Sequence, residues 1–362
     1  MDKYKYLTIV EWSKKYISDQ QLVADDRFLS ENELCNIHNV SRQTVRQALM
    51  LLESQNVICR VRGSGTFVRS VTATDTDKEA HSNIGLISTY FSDYIFPSII
   101  TGVERVLKKN NKGMQLAITH NQVCEESQAL NDMIAHGVKA LIVEPSKSAL
   151  PNPNIKLYDE IRKRNIPLVF FNAKYPWANF PCVAMDDVTA GKIATDYLFK
   201  SGHKKICGIF ALDDIQGHKR YQGFMDSCIE NGVTTAEQRV LWYSTSEMST
   251  LFTLSENRIS ELLKSATAVV CYNDRFALDL INFCRMHGIS VPDDISVIGI
   301  DDSKLAAICD VQLTSVRHPH QLIGEKAAEK VLDMLKRPKA EYSDIIFTPD
   351  LVVRDSVKKY NK

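Results

Sequence analysis

Five places along the chain bring short polar side chains to the end of an apolar run. Thr89-Tyr90-Phe91-Ser92-Asp93-Tyr94 follows the first run, and Glu144, Asn172, Asn273-Asp274 and Asp301-Asp302 follow later ones. Carboxylates and amides that donate and accept hydrogen bonds, with aromatic rings beside them, suit a ligand rich in hydroxyl groups and with apolar ring faces, such as a sugar. A second set lies near the N-terminus. Arg42, Gln43, Arg46 and Gln47 share one face of a predicted helix. Arginine can make two hydrogen bonds to guanine and glutamine two to adenine, so this face has the chemistry to read base edges. Each residue type also serves as a loop cap or a solvated surface charge, and the repetition is what distinguishes the sets.

No catalytic constellation accompanies them. Asp301-Asp302 would form a carboxylate pair, but neighbouring residues on a strand point to opposite faces. His318 and His320 alone do not complete a metal site. There is no Walker sequence, no G-x-S-x-G and no H-E-x-x-H. The expectation is a binding protein, not an enzyme, with neither metal nor cofactor.

The elements that must position these residues fall into two parts. In the first, Ser30-Glu31-Asn32-Glu33 spells a capping box, and a helix should start there and end near His38-Asn39. Ser41 offers a second N-cap to a helix on which Val45, Ala48, Leu49 and Leu52 form the buried face, opposite the arginines and glutamines. Two short helices joined tightly read as helix-turn-helix. Residues 57–68 then read as a hairpin with its turn at Gly63-Ser64-Gly65, a wing. Arginines 42, 46, 60, 62 and 69 with Glu53 as the one acid between them give this stretch the local positive surplus that phosphate contacts need. Arg62 would serve from the wing.

In the second part, apolar runs beginning at Ile84, Ala140, Pro167, Ile206, Ala268 and Val297 alternate with helical patterns at 99–107, 127–136, 188–200, 223–230 and 276–287. Alternation of that kind predicts parallel sheets covered by helices, with ligands at the carboxyl ends of strands. Domains are expected at 1–70 and 83–362, with a linker at 71–82 that has no apolar periodicity. The 362 residues carry 44 basic and 44 acidic side chains, so attraction to nucleic acid has to be local. Nine scattered cysteines without a C-x-x-C pair fit buried free thiols in a reducing compartment. With neither a signal-peptide pattern nor an apolar run of ~20 residues, a cytoplasmic location is expected.

Residues 29–68, from Leu29-Ser30-Glu31-Asn32-Glu33-Leu34 through Ser41-Arg42-Gln43-Thr44-Val45-Arg46 to Gly63-Ser64-Gly65-Thr66-Phe67-Val68, resemble the winged helix of GntR-type regulators. The resemblance implies DNA contacts at Ser41, Arg42, Thr44 and Arg46, with Gly65 and its neighbours near the minor groove. Leu29 and Asn32 stand where many relatives carry proline and arginine. Residues 83 to about 358 resemble the effector domain of LacI/GalR-type repressors, a two-lobed α/β fold of periplasmic-binding-protein type. This likeness rests on Asn83-Ile84-Gly85-Leu86-Ile87, Arg220-Tyr221-Gln222-Gly223-Phe224, Cys271-Tyr272-Asn273-Asp274, the run 291–299 and Thr314-Ser315-Val316. Such a head on such a body, with the runs 88–97 and 143–150, is similar to an arabinose-repressor family of Gram-positive bacteria. It implies a homodimeric repressor on operator DNA, released by L-arabinose. Effector contacts would fall to Tyr90, Asp93, Glu144, Asn172, Arg220, Asn273 and Asp301, with Gln216 and His318 as further candidates. Arg220 stands out physically, because one planar guanidinium can grip two neighbouring hydroxyls. Another pentose or a hexose as effector, a sugar-acting enzyme, and a transport-type binding protein are the alternatives.

Overall fold

The computed structural model describes residues 5–20, 22–23, 26–54, 57–61, 65–68, 83–91 and 94–360, without the side chains of residues 5, 54, 60 and 61. Two compact units emerge, 1–81 and 82–362.

Unit 1 contains helices Lys5–Asp19, Glu31–His38 and Arg42–Ser54 and strands β1 (Arg27–Phe28), β2 (Ile58–Val61) and β3 (Gly65–Val68). The strands form an antiparallel sheet in the order β1-β3-β2. Both predicted caps are present. Ser30 and Glu33 form the reciprocal capping box, and the Ser41 hydroxyl accepts from the Thr44 amide at 3.3 Å. Val45, Ala48, Leu49 and Leu52 are fully buried against Ile9, Val10, Leu34 and Ile58, so the apolar stripe of the third helix makes the centre of this core. The first helix and β1 have no counterpart in the predicted elements: Arg27-Phe28 is too short to show a period. Gly65 opens β3 at φ +122°, a backbone conformation that L side chains rarely adopt.

Unit 2 is two lobes, each a six-stranded sheet with helices on both faces. The first sheet, in the order β14-β8-β7-β6-β4-β5, is parallel throughout. Its strands are β4 (Ile84–Ser88), β5 (Met114–Ile118), β6 (Ala140–Val143), β7 (Leu168–Phe171), β8 (Cys182–Met185) and β14 (Ile345–Phe347). The second runs β10-β9-β11-β12-β13-β15, with only β15 antiparallel. It comprises β9 (Ile206–Ala211), β10 (Val240–Tyr243), β11 (Ala268–Cys271), β12 (Ser296–Asp301), β13 (Thr314–Arg317) and β15 (Asp350–Val352). β4, β6, β7, β9, β11 and β12 are buried along their whole length, which is why their sequences are continuous apolar runs and not alternating ones. The chain passes between lobes three times: after β8, where helix Asp187–Lys200 packs on the second lobe; after β13, where helix His320–Lys336 returns to the first; and between β14 and β15.

Helix Ile215–Glu230 begins eight residues before the predicted 223, because Asp214 caps it by accepting from the Gln216 amide at 3.2 Å. All nine cysteines are free thiols; five are buried and Cys124 is exposed, which corrects the expectation that they lie inside. The predicted linker 71–82 lies outside the described residues. No described helix is long and apolar enough to cross a membrane.

Candidate functional site

In unit 1 the Ser41-capped helix presents Arg42, Gln43, Arg46 and Gln47 to solvent, while its opposite face fills the core. Arg46 Nε donates to Glu31 Oε2 at 3.0 Å, tying this face to the preceding helix. The Ser41 and Thr44 hydroxyls lie 2.9 Å apart at the helix start. Exposed arginines and a hydroxyl-bearing N-terminus on one face are what contacts with base edges and phosphates require. Gly65 stands at the start of β3. Arg62 lies outside the described residues.

In unit 2 a cavity of about 430 Å³ is lined from both lobes. Tyr90, Glu144 and Asn172 come from the first, and Gln216, Arg220, Asn273 and Asp301 from the second. Seven of the nine residues proposed for the effector therefore meet in one place. Asp93 lies outside the described residues. His318 is corrected: it does not line the cavity. It sits in the crossover after β13, 2% exposed, its ring stacked on His320 with centroids 4.9 Å apart. Burial, and then His320 and Arg220, push its pKa well below the usual imidazole range.

Arg220 organises the second-lobe wall. Its Nε donates to Asp187 at 2.9 Å, one terminal nitrogen to the Tyr272 carbonyl at 2.6 Å and the other to Asp301 at 3.3 Å. The guanidinium lies over the Tyr272 ring, 4.9 Å from its centroid. A guanidinium has five N–H groups, so two remain beyond these three bonds. Burial pushes Asp187 up to about 6, and Arg220 pulls it back down. Gln216 Nε2 also approaches Asp187, at 3.4 Å.

On the first-lobe wall Glu144 is buried and well supplied. Its Oε2 accepts from the Thr89 amide at 2.8 Å and hydroxyl at 2.6 Å, and its Oε1 accepts from Asn172 Nδ2 at 2.6 Å. Burial raises its pKa; the bonds from Thr89 and Asn172 work the other way. With Nδ2 turned to Glu144, Asn172 Oδ1 faces the other way, and it is buried without a partner. A buried carbonyl left so costs free energy until a donor reaches it. Asn273 spends its carbonyl oxygen on the Phe276 amide at 2.9 Å as a helix cap. Asp301, whose pKa burial raises, ends β12 at φ +120° and accepts from the Tyr94 hydroxyl, which reaches it from the other lobe. Asp302, at φ +48°, turns to Arg317 and Arg354 instead, so the two carboxylates do not form a pair.

Sequence reasoning missed Asp187, Asp214 and Tyr272. Asp214 lines the cavity and accepts from the Tyr272 hydroxyl. Asp213-Asp214 before an amphipathic stretch was an available N-cap signal. Asp186-Asp187, between a buried strand and a helix, carries the same kind of signal, but only the fold brings Asp187 to Arg220.

The model for bacterial regulatory proteins of the gntR family matches residues 5–68, and that for a periplasmic binding protein-like domain matches residues 195–357. The arabinose metabolism transcriptional repressor of Geobacillus stearothermophilus is 39% identical over 359 residues, covering 98% of both chains. The protein of the same description from Halalkalibacterium halodurans is 36% identical over 360 residues, covering 97% of this chain and 96% of its own. Among solved structures, a LacI family transcriptional regulator from Enterococcus faecium with bound ribose covers 77% of this chain and all of its own, with a TM-score of 0.66 and 22% identity, a likeness of fold. With its winged helix and its two-lobed α/β domain, the chain belongs to the family of arabinose metabolism transcriptional repressors.

Proposed function

We propose that this chain is a cytoplasmic transcription repressor of sugar-utilisation genes that leaves its operator when a neutral monosaccharide, L-arabinose, occupies the cavity of unit 2. The observation that carries the reading is a pairing on one chain: an exposed Arg/Gln helix face in unit 1, and in unit 2 a cavity with polar side chains from both lobes in its lining, among them Asn172, whose buried carbonyl oxygen has no partner. The full-length likeness to two arabinose metabolism repressors supports arabinose as the effector.

In this reading Arg42, Gln43 and Arg46 meet base edges, Ser41 and Thr44 meet phosphates, and Arg62 and Gly65 follow from the wing. A sugar hydroxyl donates to Asn172 Oδ1, the two remaining Arg220 N–H groups meet neighbouring hydroxyl oxygens, and Tyr90 covers the ring at the cavity mouth. Glu144 and Asp301 accept further hydroxyls through their remaining lone pairs. Asn273 and Gln216 complete the wall. The chain performs no turnover in this account. A homodimer places two heads on a palindromic site; exposed Met286 and Ile308, on neighbouring elements of the second lobe, supply apolar surface for a second copy.

Calorimetry with a panel of pentoses and hexoses, with and without operator DNA, tests the reading. Linkage demands that operator weaken sugar binding by the factor by which sugar weakens operator binding. A preferred sugar other than L-arabinose would move the effector assignment, and equal affinity with and without operator would remove the repressor mechanism.

A further inference from the structure

Residues 145–149 follow β6 and touch the second lobe, and the way they are held differs on the two sides. On the first lobe the hold is rigid. The Ser146 amide donates to Glu126 Oε2 at 2.6 Å, and Glu126 is fully buried and also accepts from the hydroxyls of Tyr158 and Tyr175, at 3.0 and 2.8 Å. The Lys147 amide donates to Asn121 Oδ1 at 2.7 Å. On the second lobe the hold is a few hydrogen bonds at the start of helix Ile215–Glu230. Ser148 Oγ donates to Asp214 Oδ1 at 2.7 Å and accepts from the Ile215 amide at 2.9 Å; the Ala149 amide donates to the Asp213 carbonyl at 3.3 Å. Lys147 Nζ lies 3.9 Å from Asp213, and Asn121 Nδ2 donates to Thr245 at 2.8 Å. Ser148 is buried, yet it does not line the cavity.

We infer that Ser148 is the latch of the cleft: a positioning residue that holds the lobes closed over the effector without touching it. This rests on the sugar-binding reading given above. Its far partner, Asp214, lines the cavity and takes the Tyr272 hydroxyl, and the Tyr272 ring lies against Arg220. Closing the lobes therefore seats Ser148 and fixes the second-lobe wall in the same movement. Opening them returns Ser148 Oγ, Asp214 and the Ile215 amide to water. The latch contributes to how long a sugar stays, while selection among sugars remains with the residues lining the cavity.

Sugar binding to the full chain, measured by calorimetry and stopped flow, tests this in Ser148→Ala and Ser148→Asp. Loss of one or two net hydrogen bonds predicts that Ser148→Ala weakens L-arabinose binding roughly 5- to 10-fold. The loss is expected in the dissociation rate, with the association rate and the order of preference among sugars unchanged. Ser148→Asp sets a second carboxylate against Asp214 and should weaken binding further. Wild-type affinity in both variants would overturn the latch, as would an altered order of preference. If the wild-type chain binds no sugar of the panel, the sugar-binding reading fails, and hydrogen exchange on the unliganded chain judges the latch alone. Faster exchange at the Ile215 amide in Ser148→Asp supports it, and exchange equal to wild type overturns it.

Discussion

Arg220 Nε donates to Asp187 Oδ1 at 2.9 Å, and both side chains are shut away from solvent. Asp187 opens the helix after the first crossover between lobes, and Arg220 lies within helix Ile215–Glu230, so the pair binds two helices behind the cavity wall. Removing Asp187 leaves the buried Arg220 with Asp301, at 3.3 Å, in place of two carboxylates. Asp187→Ala should therefore lower the unfolding free energy of unit 2, by at most about 3–5 kcal/mol, the cost of a buried charge left with no partner at all. Urea unfolding followed through Trp177 and Trp242 measures it, and an unchanged midpoint would show that Arg220 does not need this neutralisation.

Arg46 is expected to exchange its partner when DNA arrives. Its bond to Glu31 is a surface pair, with the arginine side chain 57% exposed, and such pairs hold weakly. Arg46→Ala should cost about 1–3 kcal/mol of operator affinity if the side chain makes a bidentate base contact. Fluorescence anisotropy with a labelled operator fragment reads the change, and sugar affinity in the absence of DNA should not move.

Asn172→Ala removes the unpartnered carbonyl and one donor to Glu144. Sugar affinity should fall by about tenfold or more, since a buried acceptor and its neighbour are both affected. Operator affinity without sugar should stay at the wild-type value. Calorimetry and anisotropy on the same preparation separate the two effects.

Asp274 gives the stability a pH dependence. Its carboxyl accepts from Ser315 Oγ at 2.5 Å and the Ser303 amide at 2.7 Å, and burial, with Asp301 second, pushes its pKa up to about 8. The folded chain thus holds this proton more tightly than the unfolded chain. The resulting stability is complete below the ordinary carboxylate range and is lost as pH rises through about 8. The thermal midpoint of unit 2 should fall from about pH 6 to pH 9, and Asp274→Asn, which keeps the neutral shape, should flatten that slope.

The head was legible because its signals are local. Ser30, Glu33 and Ser41 cap helices within three residues of themselves, and Val45, Ala48, Leu49 and Leu52 repeat at the helical period. The strands of unit 2 were legible for the same reason, as short runs buried on both faces. The cavity was legible only in outline: strand-end polar residues marked where it lies, but not which groups are already spoken for. Tyr94 meets Asp301 across 207 positions of sequence, and Arg220 meets Asp301 across 81. No local pattern encodes such pairings. His318 misled because a polar residue just after a strand can face the cleft or the crossover, and its burial beside His320 put it in the second.

The measurement closest to the centre of this account is a titration of L-arabinose into the complex of the full-length chain with labelled operator, followed by anisotropy. Saturable loss of the complex is predicted, with Arg46→Ala forming it only at higher protein concentration and Asn172→Ala forming it as the wild type does but requiring about tenfold more sugar to release it. A complex that persists at saturating sugar, while calorimetry shows the cavity filled, would contradict the coupling of cavity to helix face.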